Sequence, residues 1–122
     1  MHTDTIPVAL PASFTDDYYS RYIISDTLWQ QGSAKYDILK WNKAEQYIIA
    51  QNDNNNRTEK GLFTRIDYMQ FTEMPPYTWG CCYTTYDAKT EVQAESCQNK
   101  ADRTNPRKGC NGFPFSRMKK VE

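Results

Sequence analysis

The stretch Leu62-Phe63-Thr64-Arg65-Ile66-Asp67-Tyr68-Met69-Gln70-Phe71 decides how the chain is read. Gly61 precedes it, Pro75-Pro76 follows it, and its aromatic and β-branched residues mark a strand. Successive strand side chains point to opposite faces. One parity holds Phe63, Arg65, Asp67, Met69 and Phe71; the other holds Leu62, Thr64, Ile66 and Tyr68. Arg65 and Asp67 therefore share a face that is otherwise apolar. Pointing inward, each charge needs a partner or a ligand group; pointing outward, the pair belongs to a rim or a contact surface. Alternation fixes the relative face and leaves the choice open.

Working outward, Tyr18 to Ser25, Thr27 to Gln31, Lys35 to Trp41 and Gln46 to Gln51 also read as strands. Turns at Ser25-Asp26, Gln31-Gly32-Ser33 and Asn42-Lys43-Ala44 separate them. The run Asn52-Asp53-Asn54-Asn55-Asn56 is the strongest turn signal, and it lacks the Gly and bidentate Glu of a calcium loop. Tyr77 to Thr84 is the last predicted strand. Residues 1–12 carry Pro7 and Pro11 and read as an extended segment with an edge strand around Val8 to Leu10. Beyond Tyr86, Asp87 followed by Thr90-Glu91 predicts a capped helix. The expectation is one all-β domain, a seven- or eight-stranded antiparallel up-and-down barrel. It comprises an extended segment over 1–12, the barrel over 13–85, a short C-terminal helix over 86–97 and a disulfide-anchored tail over 98–122.

The 122 residues hold fifteen Lys/Arg and fifteen Asp/Glu, a balance that argues against nucleic-acid binding. No apolar run approaches the roughly 18 residues of a membrane-spanning helix. Phe, Tyr and Trp number 17 against 14 Leu, Ile and Val, so rings must build the core or a pocket. Four cysteines, Cys81, Cys82, Cys97 and Cys110, read as two disulfides and an oxidising compartment. Adjacent Cys81 and Cys82 point to opposite faces of a strand and seek separate partners. The favoured pairing is Cys82–Cys110 with Cys81–Cys97, the exchanged pairing being its rival. Asn56-Arg57-Thr58 is a glycosylation sequon, with Asn56 the acceptor. Met1-His2-Thr3-Asp4 shows neither the basic nor the apolar region of a signal peptide. The expectation of a secreted, extracellular protein rests on the cysteines and the sequon.

Catalytic signals are sparse. His2 is the single histidine, and no nucleophile-elbow, phosphate-loop or dinucleotide motif occurs. The adjacent cysteines lack metal-ligand spacing, so no metal site is expected. The expectation is a non-enzymatic protein with no catalytic cofactor. Rings recur on successive predicted strands, and alternate residues of a barrel line one interior that can hold a single ligand. The candidate wall is Trp29, Tyr36, Trp41, Phe63, Tyr68 and Trp79, with Arg65 as polar anchor. The competing reading is that the rings fill the core.

A small barrel followed by a helix and a disulfide-tied tail resembles the calycin superfamily, whose best-known members are the lipocalins. Tyr47-Ile48-Ile49-Ala50-Gln51-Asn52-Asp53, Thr64-Arg65-Ile66-Asp67-Tyr68, Thr85-Tyr86-Asp87-Ala88 and Gly109-Cys110-Asn111-Gly112-Phe113-Pro114 also look like small extracellular domains without an established activity. The resemblance covers roughly residues 13–115, and its pattern of single cysteines supports Cys82–Cys110. The N-terminal Gly-x-Trp signature of lipocalins is absent. The resemblance implies a carrier of a hydrophobic small molecule such as a carotenoid, retinoid, bilin or fatty acid; the many rings and the balanced charge favour an elongated conjugated pigment among these. The alternative is a protein- or carbohydrate-recognition module using exposed aromatics. Exposed rings also make a homo-oligomer an expectation.

Overall fold

The computed structural model describes residues 10–97 and 101–121. Eight strands follow in order: β1 (Ala12–Asp16), β2 (Arg21–Ile24), β3 (Leu28–Gln31), β4 (Ala34–Asn42), β5 (Tyr47–Asn52), β6 (Phe63–Gln70), β7 (Trp79–Ala88) and β8 (Ser116–Lys120). Each pairs antiparallel with the next, and β8 returns to β1. The expected up-and-down barrel is thus present, closed and eight-stranded. One short helix, α1 (Glu91–Glu95), lies between β7 and β8.

Local chemistry explains where the elements depart from the expected ones. The first hairpin turns at residues 17–20, where a continuous strand was predicted from Tyr18. The Asp16 carboxylate accepts from Tyr18 N at 2.8 Å and Ser20 N at 2.9 Å, while Tyr19 adopts a left-handed φ of 67°. A carboxylate that gathers nearby amides makes a turn in place of a ladder. At the other end β7 runs on to Ala88, because Thr85 pairs with Arg65 and Ala88 with Phe63. The helix accordingly starts later than residue 86, its N-cap being Thr90, whose hydroxyl accepts from Gln93 N at 3.1 Å. The closing strand β8 was not foreseen within the tail. Met118 is its single buried residue, so the segment carries no apolar alternation. It is a strand because Phe14, Thr15 and Asp16 pair it on one side and Trp79, Gly80 and Cys81 on the other. Of the predicted edge strand around Val8 to Leu10, residues 8 and 9 lie outside the described residues, as does His2.

Rings fill the interior. Trp29 meets Tyr22, Trp79 and Tyr83 edge-on, with centroids 6.2, 6.0 and 6.3 Å apart. Phe14 packs on Trp79 at 5.1 Å, and Trp41 on Tyr68 at 6.0 Å. Edge-to-face contacts at these distances are the favoured geometry of aromatic pairs. Ile48, Ala50, Ile66 and Met118 occupy the space between. An eight-stranded barrel has an interior just wide enough for side chains to fill, and here they do.

The outer wall is covered over β5 and β6. Tyr47 and Ile49 pack there with Ala94 of α1, Phe63 and Ala88. This is why β5 is buried along both parities. One disulfide, Cys82–Cys110, ties the tail to the outside of β7. The second expected bond, Cys81–Cys97, does not form. Cys81 points into the core, whereas Cys97 follows α1 on the outside, its sulfur 3.9 Å from Thr84 O. The barrel wall separates them.

Two outcomes are expected. Trp29→Ala removes a fully buried ring and should lower unfolding free energy by about 3–5 kcal/mol in a denaturant titration. Burial pushes the Cys81 thiol up, so native-state alkylation should leave it unmodified while non-reducing peptide mapping recovers Cys82–Cys110.

Candidate functional site: the barrel mouth

The connections β3–β4 and β5–β6 lie at one end of the barrel, and between them a cavity of about 290 Å³ opens. Tyr36 and Tyr83 form its floor, their rings edge-to-face at 5.7 Å. Below them a polar chain seals the interior. Trp29 Nε1 donates to Tyr83 Oη at 2.7 Å, and Tyr83 Oη donates to Gln31 Oε1 at 2.8 Å. Burial pushes the Tyr83 phenol well above the ordinary tyrosine range. Burial, and secondarily the Glu59 charge, raises Tyr36. Both phenols therefore stay neutral donors at physiological pH.

The rim is built by the loop over residues 53–62 and by Ser33, Ala34 and Tyr86. Two buried asparagines shape that loop. Asn56 Oδ1 accepts from Lys35 N at 2.8 Å and its Nδ2 donates to Lys35 O at 2.7 Å, imitating a strand partner. Asn52 Nδ2 donates to Glu59 O and Tyr86 O, both at 2.9 Å. The hydroxyls of Tyr36 and Tyr86 and the charged groups of Arg57 and Glu59 form no hydrogen bond or ion pair among the described residues. The site thus offers ring faces, one cation, one anion and free hydroxyls, all at an open surface. The sequon asparagine, Asn56, is thus a buried residue of this loop, both ends of its amide engaged with Lys35.

The other sequence-predicted residues fall elsewhere. Trp29, Tyr68 and Trp79 are fully buried within the packed interior. Trp41 packs there too, its Nε1 donating to Asp26 O at 2.9 Å. Phe63, expected in the wall of a pocket, and Arg65, expected as its polar anchor, are not interior residues at all. They face outward beneath α1, since inward parity on β6 belongs to Thr64, Ile66 and Tyr68.

Arg65 is consumed by structure. Its Nε and Nη2 donate to the two Asp67 oxygens at 3.1 and 3.2 Å, and its Nη1 donates to Glu95 O of α1 at 2.7 Å. Its guanidinium also stacks 3.9 Å over the Tyr47 ring. Asp67 further accepts from Thr84 Oγ1 at 2.7 Å and Arg103 Nη2 at 3.1 Å. Arg103 in turn donates to Tyr68 O and Gln46 O. Every strong donor and acceptor of this buried network is matched, so it holds the helix and tail against the barrel and leaves no charge for a ligand.

Sequence reasoning reached Tyr36 but missed Tyr83, Tyr86, Arg57 and Glu59. Tyr83 shares the parity of Trp79 and Cys81, which was a legible signal. The loop residues carried none.

The chain matches no protein-family model, no curated protein and no solved structure. The class its fold defines is the closed eight-stranded antiparallel barrel. The barrel expected from the lipocalin resemblance is present, and no match to a lipocalin accompanies it. No helix among the described residues is long and apolar enough to cross a membrane.

Two measurements check the outer network. Asp67→Ala strands the buried Arg65 charge and should cost about 3–5 kcal/mol in equilibrium unfolding. Glu95 is held below the usual carboxylate range by Lys40 and then by the Tyr47 hydroxyl. Its contribution is therefore present above the unfolded-state value and lost as pH falls through the depressed one. An acid titration of stability should show a shallower acid limb in Glu95→Gln than in the parent chain.

Proposed function

We propose that this protein is a non-catalytic recognition module whose barrel mouth binds a small ring-shaped polar ligand, of which a saccharide is the best fit. The observation that carries the reading is the sealed floor: Trp29, Tyr83 and Gln31 close the interior, and the space above them stays open. A sugar offers C–H faces for Tyr36, Tyr83 and Tyr86 and hydroxyls for Arg57 and Glu59. The Cys82–Cys110 disulfide supports an oxidising, extracellular setting for such a module. Exposed Tyr19 and Phe113 offer a surface for contact between copies.

A carrier of an elongated apolar pigment is the second reading, and one observation favours it. Trp79 Nε1 is buried without a hydrogen-bond partner, so a polar atom of an enclosed ligand would gain a donor there. Entry would require the Trp29–Trp79 contact to part.

Titration of the ¹⁵N-labelled chain with a panel of mono- and disaccharides distinguishes the two. The mouth reading expects saturable shifts at residues 55–59 and at Tyr36 and Tyr86. Tyr86→Ala and Arg57→Ala should each weaken binding roughly fivefold or more without lowering thermal stability. No saturable shift with any saccharide, combined with stoichiometric uptake of retinol or a carotenoid, would replace it with the carrier.

A further inference from the structure

A second cavity, of about 270 Å³, lies on the outer wall between β8, the first hairpin turn, the segment after β6 and the tail. Its position follows from parity. Gly80 pairs with Arg117, and both face outward because Trp79 and Met118 face in. The Phe71 ring lies directly over Gly80, where an added Cβ would stand 2.5 Å from Phe71 Cζ. Glycine is thus what lets the ring lie flat as one wall of the groove. Phe115 forms another wall. It is buried, and its amide donates to Pro106 O at 2.8 Å, which folds the tail back over the sheet. Met74 and Pro114 complete an apolar lining.

Charge at this groove is one-sided. Residues 103–121 hold six of the fifteen Lys/Arg and no Asp or Glu, so an electrically neutral chain concentrates its positive charge on the tail and β8. Two of those cations line the groove. Arg107 is exposed and forms no hydrogen bond or ion pair among the described residues. Arg117 donates Nε to Asp17 Oδ2 at 3.0 Å and sits 4.9 Å over the Tyr77 ring. Asp17, the one carboxylate lining the groove, also accepts from Arg117 N at 3.1 Å and is neutralised by that pairing.

We propose that this groove is a binding site for a small amphipathic monocarboxylate, its aromatic or short alkyl body against Phe71, Met74 and Phe115 and its carboxylate on Arg107. The volume is at the lower edge of small-molecule sites, which selects a short body over a long lipid chain. An unpaired guanidinium at an apolar cleft presents a planar fork suited to a carboxylate. The site is separate from the mouth and stands or falls independently of it.

The test uses the full chain and four probes: 3-phenylpropionate, octanoate, 3-phenylpropanol and acetate. Amide shifts should map 3-phenylpropionate and octanoate to Tyr18, Phe71, Met74, Arg107 and Phe115. The carboxylates should bind about tenfold more tightly than the alcohol, and added salt should narrow that gap. Acetate, lacking the body, should not saturate. Arg107→Ala removes an exposed side chain without protein partners, so the fold is retained. It should lower carboxylate affinity about tenfold and leave the alcohol unchanged. Equal affinity for acid and alcohol, an unchanged Arg107→Ala, or shifts confined to the mouth would each overturn the proposal.

Discussion

The edge-to-face packing of Trp29 against Trp79 is the contact on which the rest of the molecule depends. Trp79 begins β7 and pairs with Met118 of β8, while Trp29 sits on β3 across the interior. The two rings therefore brace the barrel from opposite strands across its interior. Phe14 leans on Trp79 and Tyr22 on Trp29, which brings β1 and β2 into the same cluster. A chain with few Leu and Val gains its apolar burial through such rings, each of which buries far more surface than an aliphatic side chain. Filling the interior also decides where function can lie. With the volume below Tyr83 occupied by side chains, the open cavities lie at the mouth and on the outer wall.

The outer wall is organised by a different interaction. Arg65 and Asp67 form a bidentate pair that is matched on every side by α1, Thr84 and Arg103. Removing charges from water is costly, and a pair of this kind is tolerated when its remaining donors and acceptors are filled. Its consequence is positional. It fixes the helix on β5 and β6 and draws the start of the tail toward the barrel, while Cys82–Cys110 anchors the tail on β7. The tail is then placed to contribute Pro106, Arg107 and Phe115 to the outer groove.

Much of this was legible where local and global signals agree. The parity of Phe63, Arg65 and Asp67 against Thr64, Ile66 and Tyr68 was readable, and the barrel followed from the repeated strands and turns. Which parity faced inward was not, because β6 is covered on both faces and its outer cover comes from α1. The opposite orientations of Cys81 and Cys82 were readable as well. That Cys97 lies outside the wall, away from Cys81, depends on the path of the chain after α1. β8 was illegible because one buried residue, Met118, leaves no alternation, and its strand character comes from two partners distant in sequence. The mouth was partly visible through Tyr36. Its loop groups, Arg57 and Glu59, gain meaning only once Asn52 and Asn56 fix the turn around them.

The interior is a packed core, and the binding proposed above lies outside it. Titration with retinol, read through tryptophan fluorescence, tests it most directly, since Trp29 and Trp79 are buried in the volume such a ligand would enter. A packed interior predicts no saturable, stoichiometric quenching, with the emission of Trp29 and Trp79 unchanged throughout. One equivalent of retinol quenching both buried tryptophans at low micromolar concentration would contradict it and show that the ring stack opens to admit a ligand.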